Sequence, residues 1–184
     1  MCGIAGIYQN VDSIPFNSSV TEKAIKDIRH RGPDSSGHIY IDSKCLLIHS
    51  RLSIVDLSSA GNQPILSRCG NYIFVINGEI YNYKELGSLC ANKLDIDNIS
   101  DSIIALEFII EFGLTKFLEL AQGMWAFALY NKAESTLQLV RDISGQKPLK
   151  VSKELPFFRS IIIRHLLRLQ LLIILDLQNK FQKT

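Results

Sequence analysis

The chain begins Met1-Cys2-Gly3-Ile4-Ala5-Gly6-Ile7-Tyr8, a thiol followed by an apolar run that reads as a buried strand. Removal of one methionine makes Cys2 the amino-terminal residue. Its free α-amine, with a pKa of roughly 7.7–8.0, then lies within reach of its own sulfur and can take the thiol proton during attack on a carbonyl. Nucleophile and base belong to one residue, and the strand behind it holds both. A cysteine early in a chain has no such meaning alone, so the segments that follow decide the reading.

Working outward, residues 18–29 predict a helix capped by Ser18 or Ser19, with Val20, Ala24, Ile25 and Ile28 on one face, ending before a polar stretch at 29–37. Apolar runs at 39–41, 45–49, 72–76, 124–130 and 137–141 read as strands. Helices are expected at about 82–91 and 100–121. Within the second, Ser100 caps a segment ending at Gly113, with Ile103, Leu106, Phe108 and Ile110 inward. Strands outnumber helices, and their order is not the βαβα alternation of a parallel doubly wound sheet, so a layered α+β fold is expected.

Length and composition bound the function. The 184 residues, 47% of them hydrophobic, suit one domain or a domain with a small appendage. Cys2, Cys45, Cys69 and Cys90 are too far apart for a CxxC metal pair and follow no secretory signal, so they read as reduced thiols in a cytoplasm. The net charge of +2 divides unevenly: residues 1–150 carry 14 Lys+Arg against 16 Asp+Glu, and residues 151–184 carry 6 against 2. No basic stripe interleaved with aromatics occurs in the body, which argues against nucleic-acid binding. The most apolar stretch, 161–175, is interrupted by Arg164, His165, Arg168 and Gln170, short of the roughly 20 residues a membrane span needs.

Three further segments complete a pattern: Arg29-His30-Arg31-Gly32-Pro33-Asp34, His49-Ser50-Arg51-Leu52-Ser53-Ile54-Val55-Asp56 and Asn77-Gly78-Glu79-Ile80-Tyr81-Asn82-Tyr83. With the Met-Cys-Gly-Ile start, they resemble the class II glutamine amidotransferase domain in the form found at the front of glutamine-hydrolysing asparagine synthetases. These domains are N-terminal nucleophile hydrolases. The resemblance covers residues 1 to about 149 and implies a four-layer α/β/β/α sandwich, incomplete here at its C-terminal end.

The resemblance implies roles that suit the residue types. Arg51 would grip the α-carboxylate of glutamine with a planar two-pronged hydrogen bond that lysine does not reproduce. Attack by Cys2 creates an oxyanion, for which the family uses the side-chain amide of Asn77 and the backbone N–H of Gly78. Locally, Asn-Gly after an apolar run is also a common hairpin turn. Glu79 and Asp101 would hold the α-ammonium, the latter in a Ser100-Asp101 pair where it also favours a helix N-terminus. The backbone of Leu52, Ile54 and Val55 would line the pocket, while Arg29, Arg31 and Asp34 brace the neighbouring loop. With the α-amine as base, His30 and His49 are expected in structural roles. The implied course is a glutamyl thioester with loss of ammonia, then hydrolysis to glutamate, and nothing in it calls for a metal.

The family's second domain binds ATP through a glycine-rich phosphate loop, and residues 151–184 contain no glycine. No cofactor is therefore expected in this chain, since ATP and magnesium would belong to that missing synthetase domain. Such a domain could be supplied by a separate partner chain that accepts the ammonia. The resemblance stops after Arg141-Asp142-Ile143-Ser144-Gly145-Gln146-Lys147-Pro148-Leu149, and 13 of the 34 residues beyond position 150 are Ile or Leu. Two parts are thus expected, an amidotransferase domain over 1–149 and a divergent basic aliphatic tail over 150–184. The tail reads either as the product of a shifted frame, leaving an unpaired sheet edge, or as an amphipathic helix over about 158–177. Alternatives for the whole are an amidotransferase for sugar or surface-polysaccharide amidation, and an inactive fragment or non-enzymatic glutamine-binding or interaction protein.

Overall fold

The computed structural model describes residues 2–8, 18–41, 45–53, 61–91, 95–151, 157–159 and 173–175, the last two segments through their backbone alone. Among the described residues, ten strands form two five-stranded sheets. The first sheet contains β1 (Gly3–Tyr8), β2 (Ser35–Ile41), β3 (Cys45–Arg51), β8 (Lys150–Val151) and β9 (Phe157–Arg159), in the order β2-β3-β1-β9-β8. The second contains β4 (Ile65–Leu66), β5 (Tyr72–Ile80), β6 (Gly123–Asn131), β7 (Thr136–Arg141) and β10 (Ile173–Leu175), in the order β10-β7-β6-β5-β4. Every pairing is antiparallel.

The layering follows from the alternation of side chains across a strand. In β3, Cys45 and Leu47 point to one face and Leu46 and Ile48 to the other; in β5, Ile73 and Val75 oppose Phe74 and Ile76. All these residues are buried, because each sheet is covered on both faces. Ile4, Cys45, Leu47, Ile73, Val75, Ala128, Tyr130, Leu137 and Leu139 fill the space between the sheets. Outside the first sheet, α1 (Ser18–Ile28) lays Ile28, Val20, Ala24 and Ile25 over Ala5, Ile7, Leu46 and Ile48, the face expected of it.

Outside the second sheet lie α2 (Tyr83–Leu89), α3 (Asp101–Phe112) and α4 (Leu114–Leu120). Phe117 of α4 meets Trp125 and Phe127 of β6 with ring centroids 5.7 and 6.0 Å apart. Burying each such side chain contributes roughly 1.5–3 kcal/mol. The result is the α/β/β/α sandwich anticipated from the sequence. In α3, Leu106 and Phe108 are buried as expected, but Ile104 and Ile109 take the inward places expected of Ile103 and Ile110, which are half-buried. The segment is apolar nearly all round, so its periodicity does not define its inner face.

The region after residue 150 departs from expectation where it is described. Residues 157–159 pair with β1 and residues 173–175 with β7 as strands, while the rest of the helix expected over about 158–177 lies outside the described residues. Each sheet thus has a strand from this region, since backbone donors left on an open edge favour pairing over exposure. Among the described residues, no helix is long and apolar enough to cross a membrane.

Candidate active site

The site lies where β1 begins and β3 ends. Their antiparallel register sets Gly3 against Ser50, so Cys2 and Arg51 reach the same end of neighbouring strands. Cys2 is half-buried, with its Sγ donating to the Leu52 carbonyl oxygen at 3.8 Å. Arg51 is 7% exposed and donates from Nη1 to Asn62 Oδ1 at 2.9 Å. Asp34 pins the segment from both sides: its N–H donates to the Arg51 carbonyl at 3.1 Å, and its Oδ2 accepts from the Ser53 N–H at 2.7 Å. That is the bracing expected of Asp34. Leu52 is half-buried beside the thiol, whereas Ile54 and Val55 lie outside the described residues.

Asn77-Gly78 is not a turn but the interior of β5, with Asn77 opposite Ala126 and Gly78 opposite Trp125. A hairpin reading fails because β5 continues to Ile80, and because a Cβ on Gly78 would collide with the Met124 carbonyl oxygen and the Trp125 backbone. Asn77 is buried; Gly78 and Glu79 are exposed. The direction of the Gly78 N–H follows from the ladder. Trp125 turns both its N–H and its carbonyl towards Asp142, away from β5, so Gly78 and Trp125 form a non-hydrogen-bonded pair. The Ile76 N–H reaches Gln63 Oε1 at 2.7 Å and the Ile80 N–H reaches Asp101 Oδ2 at 2.9 Å, both on the edge away from β6. With backbone direction alternating along a strand, the Gly78 N–H points out of this same edge, between those two capped donors.

Asp101 opens α3 behind Ser100, whose Oγ accepts from the Ile103 N–H at 3.4 Å as the expected cap. The Asp101 Oδ1 takes the Ser102 N–H at 2.7 Å, and its other oxygen holds Ile80. It therefore joins the helix start to the strand end directly after Glu79.

His49 is 1% exposed and makes a hydrogen bond to the Ile76 backbone, tying β3 to β5. Burial first, and the Arg51 charge second, push its pKa down to about 4 against that hydrogen bond. It is a neutral structural imidazole at pH 7. All four cysteines are free, and among the described residues no group of three or more His, Cys, Asp or Glu is placed to hold a metal ion.

One charged residue near the site was not singled out by sequence reasoning. Lys147 is 4% exposed, and its backbone N–H donates to Asp142 Oδ2 at 3.0 Å. Burial, then Arg31, hold its ammonium pKa below the usual lysine value, against the pull of Asp142, Glu79 and Cys2. Its signal, a lysine in the polar Ser144-Gly145-Gln146-Lys147 stretch, is indistinguishable locally from a solvated turn.

Comparison with known proteins matches residues 1–169 to a family described as a glutamine amidotransferase domain. Asparagine synthetase B [glutamine-hydrolyzing] of Escherichia coli (strain K12) is 37% identical over 150 residues, spanning 81% of this chain and 26% of that protein. Asparagine synthetase [glutamine-hydrolyzing] 2 of Bacillus subtilis (strain 168) is 37% identical over 153 residues, spanning 81% and 20%. The chain thus spans about a quarter or less of the length of these curated relatives. Among solved structures, a glutamine phosphoribosylpyrophosphate amidotransferase from B. subtilis, complexed with ADP and GMP, superposes with a TM-score of 0.67 at 17% identity. That match covers 86% of this chain and 41% of the other, and it establishes likeness of fold.

Proposed function

This chain belongs to the glutamine amidotransferase domain family, and we propose that it hydrolyses glutamine to glutamate and ammonia with Cys2 as the nucleophile. The observation that carries this reading is the placement of Cys2 at the head of β1, level with Arg51 on β3 and 3.8 Å from the Leu52 carbonyl. With Met1 removed, the sulfur adds to the side-chain amide carbon while its proton passes to the α-amine. The oxyanion is received by the Gly78 N–H on the open edge of β5 and by the Asn77 amide. Collapse breaks the C–N bond, and ammonia leaves with the proton returned by the α-amine. Water then attacks the γ-glutamyl thioester and gives a proton to the amine, and rupture of the C–S bond restores the thiol. Arg51 holds the glutamine α-carboxylate and Glu79 and Asp101 its α-ammonium, with Leu52, Ile54 and Val55 along the pocket wall.

The ammonia in this reading goes to a synthetase activity that adenylates aspartate with ATP and magnesium and makes asparagine in the cytoplasm. Its support is the similarity to two glutamine-hydrolysing asparagine synthetases of which this chain matches only a part. The test of the first step is incubation of the purified, Met1-free chain with glutamine, its amino terminus checked by intact mass. Equimolar glutamate and ammonia are expected, and γ-glutamyl hydroxamate when hydroxylamine is added to intercept the thioester. Folded, Met1-free protein that releases no glutamate overturns the reading.

Arg51 offers a finer test. Lysine keeps the charge but loses the planar fork that matches a carboxylate. Arg51→Lys should raise the KM for glutamine by about tenfold while kcat stays within about threefold, because the α-carboxylate is held equally in ground and transition states. A fall in kcat at unchanged KM would remove Arg51 from substrate binding.

A further inference from the structure

Arg51 falls on the face of β3 that carries Cys45 and Leu47, turned towards the second sheet, and Asn62 meets it from a neighbouring segment. Nη1 of Arg51 donates to Asn62 Oδ1 at 2.9 Å. The hydroxyl of Ser35, the residue paired with Arg51 across β2 and β3, donates to the same oxygen at 3.4 Å. A guanidinium has no acceptor, so the amide oxygen of Asn62, not its nitrogen, faces Arg51. Asn62 is exposed, yet its place is set by the buried residue that follows it. Gln63 Oε1 takes the Ile76 N–H of β5 at 2.7 Å, and the Gln63 carbonyl lies so close to Gly37 of β2 that a Cβ there would collide with it. The segment is thus seated against one sheet and bonded to the other through Gln63.

Two features argue that the Asn62 contact serves recognition rather than stability. Gln63 already anchors the segment, and a hydrogen bond made by an exposed side chain adds little to a fold. The acceptor is also an amide, where a carboxylate of nearly the same shape would make a stronger, charge-assisted bond to the same guanidinium. A carboxylate there would offset the charge that a substrate carboxylate has to meet. A neutral oxygen restrains rotation of the guanidinium plane while adding no negative charge to the pocket.

We propose that Asn62 is a positioning residue for glutamine recognition: its amide oxygen fixes the plane of the Arg51 guanidinium for a two-pronged bond to the α-carboxylate, and its neutrality spares that carboxylate a repulsion. The proposal takes its ligand from the glutaminase reading, so its test separates binding from turnover. The Cys2→Ser chain, in which glutamine stays largely intact, serves as the parent. Its affinity for glutamine is read by isothermal titration calorimetry at pH 7, and its Tm is measured without ligand.

Asn62→Ala removes the acceptor, whereas Asn62→Asp keeps it and adds a negative charge. The Kd for glutamine should rise about threefold in Asn62→Ala and about tenfold in Asn62→Asp. The Tm of Asn62→Asp should equal or exceed the parent's, since an ion pair replaces the hydrogen bond. A structural role predicts the reverse order of affinities, because aspartate retains the bond and alanine loses it. In chains that keep Cys2, the same substitutions should raise KM in the same order with kcat within about threefold. A Kd in Asn62→Asp within about twofold of the parent's overturns the proposal, as does a larger rise in Asn62→Ala than in Asn62→Asp. Absence of glutamine binding by the parent overturns it together with the glutaminase reading. Weakened binding in Asn62→Asp, beside a Cys2 chain that releases no glutamate, would sink the glutaminase reading and leave this one standing.

Discussion

A Cys2→Ser chain should release glutamate about 10⁴-fold more slowly than the parent, or not at all, with its fold intact. Losses of this size are typical when a covalent nucleophile is removed and the binding groups stay in place. The cause is proton affinity. An ordinary thiol, near 8.5, lies within about a unit of an α-amine at roughly 7.7–8.0, so transfer between them is almost balanced. An alkyl hydroxyl holds its proton far more tightly, and the same amine does not remove it in time. The fold is unaffected because Cys2 is half-buried and its thiol makes one long contact, to the Leu52 carbonyl, which a hydroxyl also satisfies. Glutamate release measured beside far-UV circular dichroism checks both halves. Retention of more than about 1% of parent turnover in Cys2→Ser would move the nucleophile elsewhere.

Acid should destabilise the domain through His49. In the unfolded chain this histidine takes a proton near 6.5; in the folded chain it does so only at about 4, because the charged form is buried beside Arg51. Between those values the unfolded state binds more protons, so stability is complete above about pH 6.5 and falls as the pH drops towards 4. The difference corresponds to about 3 kcal/mol, a large part of the 5–15 kcal/mol that holds a typical domain together. Urea titrations at pH 7 and pH 4 should show that loss in the parent. In His49→Gln, where an amide N–H can keep a bond to the Ile76 backbone, the pH 7 to 4 difference should shrink by about 3 kcal/mol. Parallel curves for the two proteins would show that His49 does not carry the acid response.

The sequence was legible wherever the signal was local. The α1 face of Val20, Ala24, Ile25 and Ile28, the Ser100 cap, and the strands around residues 45–49, 72–76 and 124–130 follow from spacing that burial then repeats. Cys2 and Arg51 were legible as candidates through their motifs, and the β1–β3 register brings them to one end of the sheet. Asn77-Gly78 shows the limit. Its dipeptide chemistry favours a turn, but pairing with Ala126 and Trp125, almost 50 residues away in sequence, makes it mid-strand and aims the Gly78 N–H outward. Local preference is worth a fraction of what a strand gains by closing its ladder, so the distant partner wins.

By itself, then, the sequence determined which apolar runs form strands, that helices lie near residues 18–29, 82–91 and 100–121, and that a thiol stands at the head of the first strand, while the four-layer sandwich was implied by the family resemblance. The tertiary structure alone decided that the edge N–H of Gly78 is exposed while those of Ile76 and Ile80 are capped, that residues 157–159 and 173–175 join sheet edges, and that His49 is held neutral. It alone placed Lys147 in a buried seat, with its backbone N–H held by the Asp142 carboxylate. The physical reason is the same in each case. Periodicity is a property of neighbours along the chain, whereas hydrogen-bond completion and the cost of a buried charge depend on neighbours in space, which the ladder and the packing of layers choose.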